Sequence, residues 1–250
     1  MLSILNLYRP PGHPALTAEQ IMAALDFSRG TGYRYIKELV DAGLLSRIGT
    51  AYTLGPRIIE MDCYIREFDP VLNAGQDHLA GIRDKYECDL LLANLFSERL
   101  VVSLHLQGTE RVRTSYSRGH AMPLFRGAGG RVILASMPAR VQKRLYERHR
   151  PELLKSGWAS TWEEFRDALA AVRHDGYATS FGELDAGYAG IAVAVNVDAL
   201  TPPSCVCLLF SQKRYSIIDK SVLASDVTEL AAQIEKELLA GSPRPAARAA

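Results

Sequence analysis

The sequence predicts an α+β protein: an N-terminal winged helix-turn-helix, joined by a linker helix to a larger mixed domain. Three observations predict it. Residues 17–54 read as helix, turn, helix and hairpin; the middle of the chain alternates apolar strand-like runs with helical ones; and residues 219–239 close it as one amphipathic helix. The chain has 250 residues, 48% of them apolar and 23% charged, which suits one large or two ordinary domains with a packed core. Net charge is +1, so any attraction to nucleic acid must be local. Signal-peptide and membrane-length apolar patterns are not seen, and the expected location is the cytoplasm.

The elements follow in order. Met1–Tyr8 starts as an apolar helix, and Pro10, Pro11 and Pro14 mark the loop behind it. Thr17-Ala-Glu-Gln20 has the form of a capping box and opens a short helix with Ile21, Ala24 and Leu25 on its inner face. Ser28 is a good N-cap for a second helix, which runs to Ala42 and stops at Gly43. Gly32, Tyr35, Ile36 and Leu39 form its core stripe. Leu44–Ile48 and Ala51–Leu54, joined by Gly49-Thr50, read as the hairpin wing. Pro56 begins a linker helix to Phe68, and Val71–Tyr86 is a longer helix with Leu72, Gly75, Leu79 and Ile82 on one side. Strands are expected at Asp89–Phe96, Leu100–Gln107, Val112–Ser117, Ile191–Val197 and Ser204–Ser211. Helices are expected at Gly130–Ser136, Pro138–His149, Thr161–Asp175 and Asp219–Leu239. The expected boundaries are 1–56 for the DNA reader, 57–69 for the linker, 70–240 for the sensing domain and 241–250 for a disordered tail.

The second helix is patterned for a DNA groove. Ser28, Arg29, Thr31, Tyr33, Arg34 and Lys37 stand at its start and on its outer face, with Arg47 and Thr50 on the wing. Hydroxyls and cations there address phosphates, while Arg29 and Arg34 can each fork onto a guanine edge. From residue 28 to 57, five cations (Arg29, Arg34, Lys37, Arg47, Arg57) oppose two acids (Glu38, Asp41), a net of +3. That is modest, so the motif carries the reading rather than the charge. Gly30 and Gly32 each weaken the helix by about 1 kcal/mol relative to alanine. A winged helix used only for protein contacts is the alternative.

The remaining chemistry-bearing residues give weaker signals. Cys63, Cys88, Cys205 and Cys207 lack zinc-finger spacing; Cys205 and Cys207 share one side of a strand and are favoured as a buried reduced pair over a metal or redox site. The histidines are scattered without ligand spacing, and His105 reads as a core or pocket-edge residue. Neither a metal nor a cofactor is expected. Gly127–Gly130 is no phosphate loop, since no Gly-Lys-Ser/Thr follows. Trp158 and Trp162 suit packing. Glu183 and Asp185 have the spacing of an acid/base pair, and with His105 they define the alternative function, an enzyme acting on a small organic acid.

Three stretches together resemble the IclR family of bacterial transcriptional regulators: Ser28–Leu45, Gly119–Arg131 and Gly176–Val195. The resemblance spans roughly Leu2 to Leu239. It implies a GAF-like effector-binding domain, assembly into dimers or dimers of dimers, a double-stranded operator and a small organic acid effector. It places the acid against the backbone amides of Ala128 and Gly129, with Met122, Leu124, Glu183, Asp185, Ala194, Leu209 and Ser211 as the wall. Leu209 stands where the family can have serine, which with Met122 and Phe125 nearby tilts the expected effector towards a larger, partly aromatic acid. Arg131 stands where lysine is usual, and Lys213-Arg214 where a Gly-Pro turn is common. The reading is a ligand-responsive regulator, repressor rather than activator, of a catabolic operon.

Overall fold

A computed structural model of the chain describes residues 1–9, 12–109, 114–196 and 202–241. The chain divides into two compact units, Met1–Phe68 and Asp69–Ala250.

In the first unit a 3-10 helix (Leu2–Tyr8) precedes a two-residue strand β1 (Leu16–Thr17), helix α1 (Ala18–Leu25), helix α2 (Arg29–Asp41), strands β2 (Leu45–Ile48) and β3 (Ala51–Leu54), and helix α3 (Arg57–Phe68). The capping box forms as the sequence predicts: Gln20 N donates to Thr17 Oγ1 and Thr17 N to Gln20 Oε1. Asp26 ends α1 in the left-handed conformation, and Ser28 accepts from Thr31 N to start α2. Gly43 (φ 73°) turns the chain into the wing, where Gly49 (φ 61°) makes the tight connection. β3 is central, pairing with both β2 and β1. Ile4, Leu16, Ala18, Ile21, Ile36, Leu39 and Leu45 form the buried core. Ala24 is exposed rather than on the inner face; Met22 takes that place, its side chain filling the space that Gly32 leaves open on α2.

The second unit is a six-stranded antiparallel sheet covered on both faces. In chain order it comprises α4 (Pro70–Tyr86), β4 (Asp89–Phe96), β5 (Arg99–Leu106), β6 (Ala121–Met122), α5 (Gly127–Ser136), α6 (Ala139–Arg148), α7 (Arg150–Ser156), α8 (Trp162–Asp175), β7 (Ala178–Phe181), β8 (Tyr188–Val195), β9 (Ser204–Ser211), α9 (Gln212–Ile217) and α10 (Lys220–Leu239). The strand order is β6-β5-β4-β9-β8-β7. Strands β4, β8 and β9 are buried on both faces, so they read as continuous apolar runs. On one face Leu90, Leu92, Ile191, Val193, Val206 and Leu208 pack against α4 and α10. On the other, Leu91, Ala93, Ala192, Cys205 and Cys207 pack against α5, with α8 outside it. Asp69, itself buried, caps α4 through Leu72 N and accepts from Asn94 Nδ2 on β4, so one carboxylate fixes the helix to the sheet.

Several elements differ from expectation. Helix α5 begins at Gly127, not Gly130, and β8 begins at Tyr188, three residues before the expected Ile191. Of the expected strand Val112–Ser117, residues 114–117 are not extended into the sheet and 112–113 lie outside the described residues. The expected tail from 242 onwards also lies outside them. Lys213-Arg214 sits in helix α9 rather than a turn, where Arg214 donates to Tyr86 O and pairs with Glu87.

Candidate functional site

In the first unit, α2 turns Gly32, Ile36 and Leu39 inward, which leaves Arg29, Tyr33, Arg34 and Lys37 exposed on the outer face. Ser28 Oγ donates to Thr31 Oγ1 at 3.0 Å while capping the helix, so these two hydroxyls rigidify the helix start. Tyr33 OH donates to Glu19 Oε1 at 3.2 Å, tying α2 to α1. The Arg34 guanidinium lies 5.3 Å from the centre of the Tyr35 ring, which itself packs edge-on to Phe27. On the wing, Arg47 Nε donates to Gly49 O, while Thr50 is exposed at the tip. The structure thus brings together one cationic helix face whose base is ordered by its own capping hydroxyls, and a separate exposed wing.

In the second unit the sequence-predicted residues meet at the start of α5. Glu183 lies in the loop between Gly182 (φ 63°) and Gly187 (φ 85°), positive values that glycine adopts without strain. Its carboxylate accepts from Gly127 N at 3.0 Å and from both terminal nitrogens of Arg131 at 2.8 and 2.9 Å. A carboxylate at the first turn of a helix meets unpaired N–H groups and the positive end of the helix dipole. Arg131 also donates to Thr179 O and lies 5.3 Å from the Trp158 ring. Arg126, the residue before α5, donates to the Glu183 carbonyl. Leu184 packs against Gly127, whose missing Cβ would otherwise meet Leu184 Cδ1 at 2.9 Å.

Beside this ion pair lies a cavity of about 30 Å³, room for one or two waters. Leu91, Met122, Leu184 and Leu209 make its apolar wall, with Thr114, Tyr116, Ser180 and Tyr188 bringing hydroxyls and Glu183 and Asp185 their loop. Of the expected wall residues, Met122, Glu183, Asp185 and Leu209 line it, while Leu124, Ala128, Gly129, Ala194 and Ser211 do not. Leu124, Ala128 and Gly129 are buried around the α5 turn, and Ala194 packs on the same side of the sheet. Ser211 accepts from Arg214 N and caps α9. Asp185 accepts from Thr114 Oγ1, Ser115 N and Ser115 Oγ at 3.0, 2.9 and 2.5 Å, so its carboxylate holds a neighbouring segment. Arg131, Leu184, Tyr116 and Tyr188 were missed as site residues, since pairings across fifty residues leave no local signal.

The proposed acid/base constellation does not assemble a reactive centre. His105 pairs with Asp89 at 2.9 Å, both nearly buried, and Asp89 also accepts from Gly108 N. This is a pin across β4 and β5 that fixes the end of the hairpin. Among the described residues no cluster of three or more His, Cys, Asp or Glu forms a metal site, and no helix is long and apolar enough to cross a membrane.

Residues 70–236 match the family model for the C-terminal domain of IclR bacterial transcriptional regulators. The chain belongs to the IclR family. It is similar to the transcriptional regulator KipR of Bacillus subtilis, with 22% identity covering 95% of this chain and 94% of that protein. It is likewise similar to the regulator Rv1719 of Mycobacterium tuberculosis, with 27% identity over 76% of each. Among solved structures, a regulator from Rhodococcus superposes with a TM-score of 0.76 at 22% identity, covering 96% of this chain and 97% of that one. An IclR homologue from Microbacterium hydrocarbonoxydans, complexed with 4-hydroxybenzoate, superposes with a TM-score of 0.74 at 21% identity, covering 96% and 98%. The IclR architecture, an N-terminal helix-turn-helix with a C-terminal effector domain, is the one described above. The protein is a transcriptional regulator and not an enzyme.

Proposed function

We propose that this IclR regulator binds a pseudo-palindromic operator as a homodimer or dimer of dimers, represses a catabolic operon, and is controlled by a small organic, partly aromatic acid. The observation that carries it is the pairing of an exposed cationic α2 with a separate unit in which a carboxylate sits at a helix start beside an apolar cavity. Ser28, Arg29, Thr31, Tyr33, Arg34 and Lys37 are the groove contacts, with Arg47 and Thr50 on the adjoining backbone. Glu19, which holds Tyr33, sets the orientation of that ring.

Helix α3 supports self-association. None of its residues is buried, yet Ile59, Met61, Tyr64, Ile65 and Phe68 are apolar or aromatic and exposed, Ile59 and Phe68 by about three-quarters. Met61, Ile65 and Phe68 recur at helical spacing, and a second copy of α3 covers such a stripe symmetrically.

The effector acid is assigned to the amides of Ala128 and Gly129 and the apolar wall around Met122 and Leu209, with Glu183 and Asp185 beside it. The 4-hydroxybenzoate of the Microbacterium homologue supports an aromatic acid. A molecule of that size exceeds the cavity of about 30 Å³, and the Gly182–Gly187 loop, bounded by two glycines at positive φ, is the segment whose movement would enlarge it. Effector binding then favours one arrangement of the two DNA readers over another. Calorimetric titration with benzoate and 4-hydroxybenzoate, against pyruvate and glyoxylate, tests the class: heat from the aromatic acids is expected, and heat from the two- and three-carbon acids alone reverses it.

A further inference from the structure

Two of the four cysteines lie face to face under helix α5. Cys205 and Cys207 are two residues apart on β9, are almost wholly buried, and place their sulfurs 3.9 Å from each other. Gly129 of α5 faces them. A Cβ added to Gly129 would meet Cys207 Sγ at 2.9 Å, Cys205 Sγ at 3.3 Å and Met122 Cε at 3.6 Å. Two thiol sulfurs and the Met122 methyl group therefore face the one Cα of this turn that carries no side chain, and a Cβ there would crowd the sulfurs. We infer that this is a binding site for a soft monovalent metal ion, Cu(I), held by the thiolates of Cys205 and Cys207 and the thioether of Met122.

Donor type, geometry and charge support the assignment. Thiolate and thioether sulfur select soft ions of this kind over oxygen-seeking ones. For a metal–sulfur bond of about 2.3 Å, the 3.9 Å separation gives an S–metal–S angle of about 116°, close to the 120° of a three-coordinate trigonal site. Met122, unbranched and flexible, supplies the third sulfur by rotation of its own chain. A tetrahedral zinc site is disfavoured, because among the described residues no third His, Cys, Asp or Glu joins the pair. A disulfide is disfavoured too: residues two apart on an extended strand are about 6.6–6.8 Å apart at Cα, the upper limit for that bond. Binding proceeds as Cu(I) plus two thiols to a bis-thiolate complex of charge −1 with release of two protons. The N-terminal turn of α5 stands over that charge and favours it.

The hydrogen bond shared with Cys207 and burial both hold the Cys205 thiol well above the usual range. Protons therefore compete with the metal, and affinity rises with pH. Met122 also lines the cavity beside Glu183, so a metal drawing on Met122 changes the wall of that cavity. The inference stands whether or not the effector is an aromatic acid.

The test uses the reduced full-length protein carrying Cys63→Ser, which removes the exposed thiol, titrated anaerobically with Cu(I) against bathocuproine disulfonate and with Ag(I) as a redox-inert stand-in. One ion per chain with a thiolate-to-metal absorbance band is expected. Cys205→Ser and Cys207→Ser are each expected to weaken binding by at least about a hundredfold, and Met122→Leu by about tenfold. Gly129→Ala retains both thiols and fills the gap; it is expected to weaken binding at least about tenfold, and it decides the matter should either serine variant fail to fold. Failure to compete with the chelator, or binding unchanged in Gly129→Ala and Met122→Leu, overturns the inference.

Discussion

Replacing Glu183 by alanine removes the acceptor of three hydrogen bonds, from Gly127 N and both terminal nitrogens of Arg131, of which one keeps Thr179 O. Breaking a fully buried ion pair costs about 3–5 kcal/mol, whereas an exposed pair is worth about 0–1 kcal/mol. The side chains here are 17% and 29% exposed, between those limits. The expected loss is about 2 kcal/mol, a fall in Tm of about 4–8 °C for a domain of this size. Glu183→Gln preserves shape and one acceptor, and should lose about half as much. Thermal or urea unfolding followed by circular dichroism gives the stability. Fluorescence reports the site itself, because Arg131 lies over the Trp158 ring and moves when its partner is removed. A double-mutant cycle with Arg131→Ala isolates the pair and is expected to give a coupling of about 1–2 kcal/mol. A Glu183→Ala variant within about 0.5 kcal/mol of the parent, with no coupling to Arg131, would refute the claim that this ion pair fixes the loop to α5.

Other perturbations follow from the same geometry. Gly130→Ala should be among the most damaging single substitutions, since its Cβ would meet the Leu124 carbonyl oxygen at 2.1 Å; backbone cannot step aside as a side chain can, and unfolding measurements should show a loss above about 2 kcal/mol. Arg34→Ala should weaken operator binding by about 1–3 kcal/mol if it reads a base, visible as a shifted titration in fluorescence anisotropy. Of the four cysteines only Cys63 is exposed, and burial pushes the Cys88 thiol up to about 12, so the folded apoprotein should show one fast-reacting thiol towards Ellman's reagent at pH 8. The His149 hydrogen bond, with Arg148 beside it, holds the Glu98 carboxyl below its usual range. That depressed value means a small stabilisation present above about pH 4.3 and lost as pH falls through the folded value; Glu98→Gln should flatten the acid limb of the stability profile.

Signals that act within a few residues were legible in the sequence. The Thr17–Gln20 capping box, the Ser28 cap and Gly43 set helix limits by local hydrogen bonds and backbone freedom, so α1, α2 and the wing fall where the sequence puts them. The long apolar runs of β4 and β9 were equally plain, because both of their faces are buried. What escaped was short or distant. β1 and β6 have two residues each and β7 four, and they become strands only through partners elsewhere. Ala24 was given an inward face that Met22 holds, since periodicity does not say which neighbour will leave room, and here Gly32 does. At the candidate site, Glu183 was singled out by its motif, but its partner Arg131 lies 52 residues away in sequence. Asp185, two residues from Glu183, faces Thr114 and Ser115 instead, a difference set by the turn of the glycine-bounded loop.

The central claim is that α2 reads duplex DNA under control of the second unit, and anisotropy titration of the purified protein on its own promoter fragment tests it most directly. The account predicts binding that exceeds an unrelated fragment by at least about a thousandfold, falls steeply with salt, and shifts when a cognate organic acid is added. Equal affinity for both fragments, unaffected by salt or by any acid, would contradict it.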